Sequence, residues 1–220
     1  MKNKRAGLLT IILCCSLLLS AQVQVSKEPR HKNALENKYV RLLNVNIPPG
    51  DTSLFHIHST PSVFLHFTTT VVCSQIKGKE WVTAKYTEGY AWYRSFVNDT
   101  LVHRVSNCDT VPFHVTDVEL LSAYKAAKIL QPLPFTILFE NEKLSAYLLT
   151  AGSFNNQIIN GRGPMIAQMV AGSELTLHNK KGKELSKLKT GKYVYIKPGT
   201  EFYFSATADE KINMVLFEIK

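Results

Sequence analysis

The sequence predicts an all-β protein built from two tandem units of sandwich or barrel type. Short runs rich in Val, Ile, Phe, Tyr and Thr recur along the chain, Gly and Pro punctuate them, and the chain repeats itself at a nearly constant offset. In the first unit, Val40 to Ile47 closes at Pro48-Pro49-Gly50, Val63 to Ile76 ends at Lys77-Gly78, and Val111 to Leu120 alternates apolar with polar residues. The second unit continues with Leu144 to Leu149, Leu175 to Leu177, Tyr193 to Ile196 before Pro198-Gly199, and Ile212 to Ile219.

The duplication rests on three ordered matches. Glu36-Asn37 returns as Glu140-Asn141 and Lys77-Gly78-Lys79-Glu80 as Lys181-Gly182-Lys183-Glu184, both at an offset of 104. Val118-Glu119-Leu120 is answered by Phe217-Glu218-Ile219 at an offset of 99, so the second copy has short loop deletions. The expected organisation is a first unit over 33–121, a linker over 122–134 and a second unit over 135–220. Within the linker, Ser122 to Ile129 has room for two helical turns before Pro132 and Pro134 end them.

Residues 1–21 read as a secretory signal peptide: Lys2, Lys4 and Arg5, an apolar run from Leu8 to Leu19, then Ser20-Ala21. The run is shorter than the roughly 20 residues that span a bilayer. An exported protein, periplasmic or secreted, is the expectation. Losing 1–21 removes three positive charges and no negative ones, which leaves +6 of the formal +9. The remaining lysines are scattered, and their densest group, Lys180, Lys181, Lys183, Lys187 and Lys189, reads as a solvated hairpin. No basic stripe interleaved with aromatics marks a nucleic-acid partner. Cys73 and Cys108, left after processing, either pair in an oxidising compartment or stand as two small buried residues.

The chemistry concentrates in histidines. Residues two apart on a strand share a face, so His56 and His58 point to one interior, and His103 from a distant strand would complete a three-imidazole metal site. Three neutral imidazoles leave coordination positions for water, oxygen or a substrate oxygen. The alternative is a set of histidines with no bound ion. His66 and His114 are candidates for a fourth ligand or a supporting donor, or else ordinary hydrogen-bonded histidines; His31 and His178 lie in polar surroundings away from the pattern.

Gly50, five residues, His56-x-His58, then His103 with three residues before Asn107, resembles the two signature motifs of the cupin superfamily. The chain departs from them in two places. No carboxylate follows His58 where Ser62 and Val63 stand, and Asn98-Asp99-Thr100 replaces the usual Pro-x-Gly turn. The resemblance implies two jelly-roll β-barrels, the first binding a divalent transition metal (Fe, Mn, Ni, Cu or Zn) through His56, His58 and His103. It also implies a degenerate second copy, with Ile158, Asn160 and Phe202 at the histidine positions and Ala206 at the asparagine. Asn107 reads as a turn residue.

A small-molecule substrate and dioxygenase- or isomerase-like chemistry follow from that resemblance. The rival is a non-enzymatic bicupin that binds a sugar-like molecule or serves structurally, and a homodimer fits either reading. No general base stands out: Asp117, Glu119 and Tyr93 are unplaced, and no residue is assigned a catalytic role. Of Phe55, Phe64, Phe67, Trp81, Trp92, Tyr93 and Phe96, most belong to a barrel core. The chain has no Gly-x-Ser-x-Gly elbow, phosphate-binding Gly-rich loop or Cys-x-x-Cys.

Overall fold

The structure is a computed structural model that describes residues 22–154, 156–206 and 211–220. The proposed signal peptide lies outside the described residues. In the first half the strands are β1 Val23–Gln24, β2 His31–Glu36, β3 Val40–Ile47, β4 His56–His58, β5 Ser62–His66, β6 Thr70–Ile76, β7 Trp81–Tyr86, β8 Ala91–Arg94, β9 Leu101–Asn107 and β10 Phe113–Leu120. They form two facing sheets, ordered β1-β4-β9-β6-β7 and β2-β3-β10-β5-β8. The second half contributes β11 Thr136–Glu140, β12 Leu144–Thr150, β13 Met165–Ala171, β14 Leu175–Asn179, β15 Glu184–Leu188, β16 Tyr193–Ile196, β17 Phe202–Ala206 and β18 Asn213–Ile219. Its sheets run β11-β12-β18-β13-β16 and β15-β14-β17.

The sequence repeats occupy matching turns. Gly78 joins β6 to β7 and Gly182 joins β14 to β15, with φ of 79° and 81° that favour glycine. Asn37 and Asn141 build the same Asx turn: the Asn37 side-chain oxygen accepts from the backbone N–H of Tyr39 and Val40, and that of Asn141 from Lys143 and Leu144. Each turn starts a hairpin, β2–β3 and β11–β12.

One sheet of each unit is buried on both faces. On β10, Phe113 and Val115 face the first barrel's interior, while Val118 and Leu120 join Val40, Leu42, Val63 and Leu65 in a core shared with the second unit. On β18 the pattern repeats: Met214 and Leu216 face inward, and Val215, Phe217 and Ile219 enter the shared core. Such strands lose the polar-out half of the alternation, which is why Met214 to Phe217 reads as an unbroken apolar run. The Lys180–Lys189 hairpin is largely exposed, with Lys187 paired to Glu174.

Three expectations change. Val63 to Ile76 is two strands in two sheets, because the chain crosses over at 67–69, where the Thr68 hydroxyl donates to Pro112 O and accepts from the His114 N–H. The stretch from Ser122 to Ile129 forms no helix. It is held open by Leu121 N–H and Ser122 Oγ, which donate to the carbonyls of Tyr39 and Lys38, and by Arg162, which donates to Gln131 O. The first unit's sheets also take in β1 and β2, which begin upstream of residue 33.

Candidate metal centre

The β4–β9 register sets His56 directly opposite His103, and the two-residue period puts His58 on the same face. Ring centroids lie 4.6 Å apart for His56–His103, 5.0 Å for His56–His58 and 5.1 Å for His58–His103. One ring nitrogen from each falls within 4.8 Å of the others. The three histidines marked by the sequence therefore meet at one point.

Their outer partners orient the rings. His56 Nδ1 lies 2.9 Å from Leu54 O; a carbonyl only accepts, so the proton sits on Nδ1 and Nε2 turns inward unprotonated. His103 Nδ1 meets the Ser74 hydroxyl at 3.1 Å, and His58 Nδ1 lies 3.5 Å from Asp117 Oδ2. His56 Nε2 and His103 Nε2 are buried without a hydrogen-bond partner. Burial holds His56 down to about 4, and burial together with the neighbouring imidazoles puts His58 and His103 well below the usual histidine range. Neutral, oriented, unsatisfied imidazole nitrogens fit a divalent transition metal.

Around them is a cavity of about 250 Å³. Its aromatic wall includes Phe96, stacked 4.9 Å from His58, and Phe64, stacked 4.1 Å from Trp92. Arg94 lines it too, paired with Asp99 and lying over the Phe96 ring. Asp117 is 1% exposed, neither carboxyl oxygen has a hydrogen-bond partner, and burial followed by the Glu119 charge raises it well above the carboxylate range.

His31, which its polar sequence surroundings place away from the site, lines this cavity, 7% exposed, with its ring 4.6 Å from His56. Its Nδ1 is 2.6 Å from buried Glu28. Burial would raise Glu28, but the His31 hydrogen bond and the N–H groups of Leu54 and Arg30 prevail and bring it down to about 2. The available signal was Glu28-x-x-His31 beside a strand, a spacing too common to single out.

His66 lines the cavity from the facing sheet but stays outside the triad. It accepts from Trp92 Nε1 at 3.3 Å and stacks on Tyr86. His114 binds Asn44 and stacks on Phe67, away from the cavity, and His178 binds Ser205. Of the unplaced groups, only Asp117 reaches the site; Glu119 pairs with Arg41, and Tyr93 packs against the shared core. Asn107 is the last residue of β9 rather than a turn residue; its buried amide braces the loop that follows by donating to Ile47 O and Val111 O. Cys73 and Cys108 are joined as a disulfide, Cα atoms 5.9 Å apart.

No protein-family model matches the chain, and no curated protein matches it. Solved structures do. The cupin 2 conserved barrel domain protein from Leptotrichia buccalis superposes with a TM-score of 0.54 at 12% identity, over 91% of this chain and 100% of that one. The fold is that of a double-barrel cupin. Protein Ylba from E. coli gives 0.60 at 10% identity over 87% and 85% of the two chains. A variant of salicylate 1,2-dioxygenase from Pseudoaminobacter salicylatoxidans gives 0.55 at 10% over 82% and 71%. At these identities the likeness is one of fold.

Within this cupin fold, apolar side chains fill the second barrel at the place of the histidines. The β4–β9 pair is reduced to one bridge, Ile159 opposite Phe202. The counterpart of His56 is thus Ile159, one residue beyond the expected Ile158, and Phe202 stands for His103 as expected. Both belong to the apolar core of this barrel.

Proposed function

We propose that the first barrel binds one divalent transition metal through His56, His58 and His103 and acts on a small organic molecule in the adjoining cavity, with oxygenase- or isomerase-like chemistry. The observation that carries this reading is the convergence of three neutral imidazoles, two with orphaned Nε2 atoms, beside an aromatic-walled cavity. A bound metal would supply Lewis acidity and a template for substrate oxygens, or a redox centre if it is iron. The chain's own groups do the rest. The aromatic wall excludes water, which strengthens polar contacts inside. Arg94, paired with Asp99, offers a guanidinium at the cavity wall as a hydrogen-bond donor to a substrate oxygen. Asp117 stands beside His58 with its carboxyl raised by burial well above the usual carboxylate range, and Glu28 fixes the His31 ring with Nδ1 toward the carboxylate.

We further propose that the protein is exported. Support comes from the N-terminal signal-like segment and the Cys73–Cys108 disulfide, a bond that persists in oxidising compartments. The decisive experiment is elemental analysis of tag-free protein beside His103→Ala. About one metal equivalent in the native chain, lost in a variant with an unchanged circular-dichroism spectrum, is expected. Equal metal content in the two would overturn the assignment.

A further inference from the structure

We propose that the second barrel binds a neutral, hydroxylated small molecule of monosaccharide size, in a cavity of its own apart from the histidine pocket. This cavity, about 240 Å³, lies where the inter-barrel segment closes one end of the second barrel. Tyr124, Leu130 and Pro132 line it from the segment, and Ser145, Arg162 and Glu218 from the barrel.

Arg162 and Glu218 are 9% and 2% exposed and form an ion pair through Nη2 and Oε2. Arg162 Nη1 donates to Gln131 O at 2.7 Å, and the Tyr147 hydroxyl donates to Glu218 Oε2 at 3.4 Å. That leaves Arg162 Nε and Glu218 Oε1, both buried, with no hydrogen-bond partner in the protein. An unmatched buried donor or acceptor costs on the order of 1–3 kcal/mol, and more when charged. The pair therefore fits a ligand that offers an acceptor to Nε–H and a donor to Oε1, and vicinal hydroxyl groups do both.

Charge selects against ions. Arg162 and Lys220 are balanced by Glu218 and Glu140, and Lys220 is itself paired with Glu140. Size argues for more than a bridging water, whose share of the liquid is about 30 Å³. Tyr124 gives an aromatic surface for the C–H face of a sugar ring. It is seated so closely that a Cβ on Gly163 would lie 2.8 Å from its Cδ1.

Saturation-transfer NMR on the full chain tests this with glucose, galactose, xylose and myo-inositol as probes, and with glycine and inorganic phosphate as controls. Transfer to at least one hydroxylated probe is expected, weakened about tenfold or more in Arg162→Lys and Glu218→Gln and retained in His103→Ala. Leu130→Trp, which fills the cavity from its rim, should abolish it and serves if the buried variants misfold. No transfer to any hydroxylated probe, transfer to glycine or phosphate alone, or signals unchanged by the cavity variants would overturn the proposal.

Discussion

His56 faces His103 across one antiparallel strand pair, and at the matching place in the second barrel Ile159 faces Phe202. The same backbone bridge carries two imidazoles in one copy and two apolar side chains in the other. From a shared frame one copy builds an aromatic-walled cavity around its histidines and the other an apolar core at that place, and the second barrel's unmatched buried polar atoms include Arg162 Nε and Glu218 Oε1.

Phe202 is 1% exposed and packs edge-on to Phe204 at 5.5 Å. Truncation there leaves a cavity among apolar side chains, and Phe→Ala losses of this kind run to about 3–5 kcal/mol. Phe202→Ala should lower the urea midpoint correspondingly while metal content stays unchanged. A loss under about 1 kcal/mol would mean that this core is loosely packed.

The fold was legible because its evidence is local. The Asn37 and Asn141 turns, the Gly78 and Gly182 hairpins and the two-residue period at His56-Ile57-His58 each leave a direct mark in the sequence. The candidate site was legible where spacing carried it and opaque where packing did. Asp117 looks like any strand acid until β10 buries it beside His58, and His31 becomes a cavity residue only because Glu28 and the turn before β2 bring it against His56. The sheet-on-sheet interface was equally hidden, since Met214 to Phe217 reads as a core strand whether or not a second barrel covers it.

His66 gives a pH dependence of known sign. Burial lowers it from 6.5 to about 4, so between those values the unfolded chain binds a proton that the folded chain does not. Its contribution is fully present above the unfolded pKa and is lost as pH falls through the folded one. From about pH 7 to about pH 5 the native chain should lose roughly 2 kcal/mol through this group. His66→Phe keeps an aromatic ring against Tyr86 and removes the titration, so its stability should fall less over the same range. Parallel stability curves from urea melts would show that His66 is protonated in the fold.

The interface between the barrels holds a buried polar pair amid apolar packing, besides the exposed hydrogen bond from the Tyr193 hydroxyl to Ala34 O. Thr116 Oγ1 donates to Gln168 Oε1 at 2.7 Å, both residues are buried, and Gln168 Nε2 has no partner. Thr116→Val strands the Gln168 oxygen as well and should cost about 1–3 kcal/mol; Gln168→Leu strands the Thr116 hydroxyl but removes the unpartnered amide and should cost less. The double variant replaces a half-satisfied pair with apolar contact, so its loss should fall below the sum of the single losses by about 1 kcal/mol or more. A double-mutant cycle measured by chemical denaturation reads this directly. Simple additivity would mean that the hydrogen bond contributes nothing to holding the two barrels together.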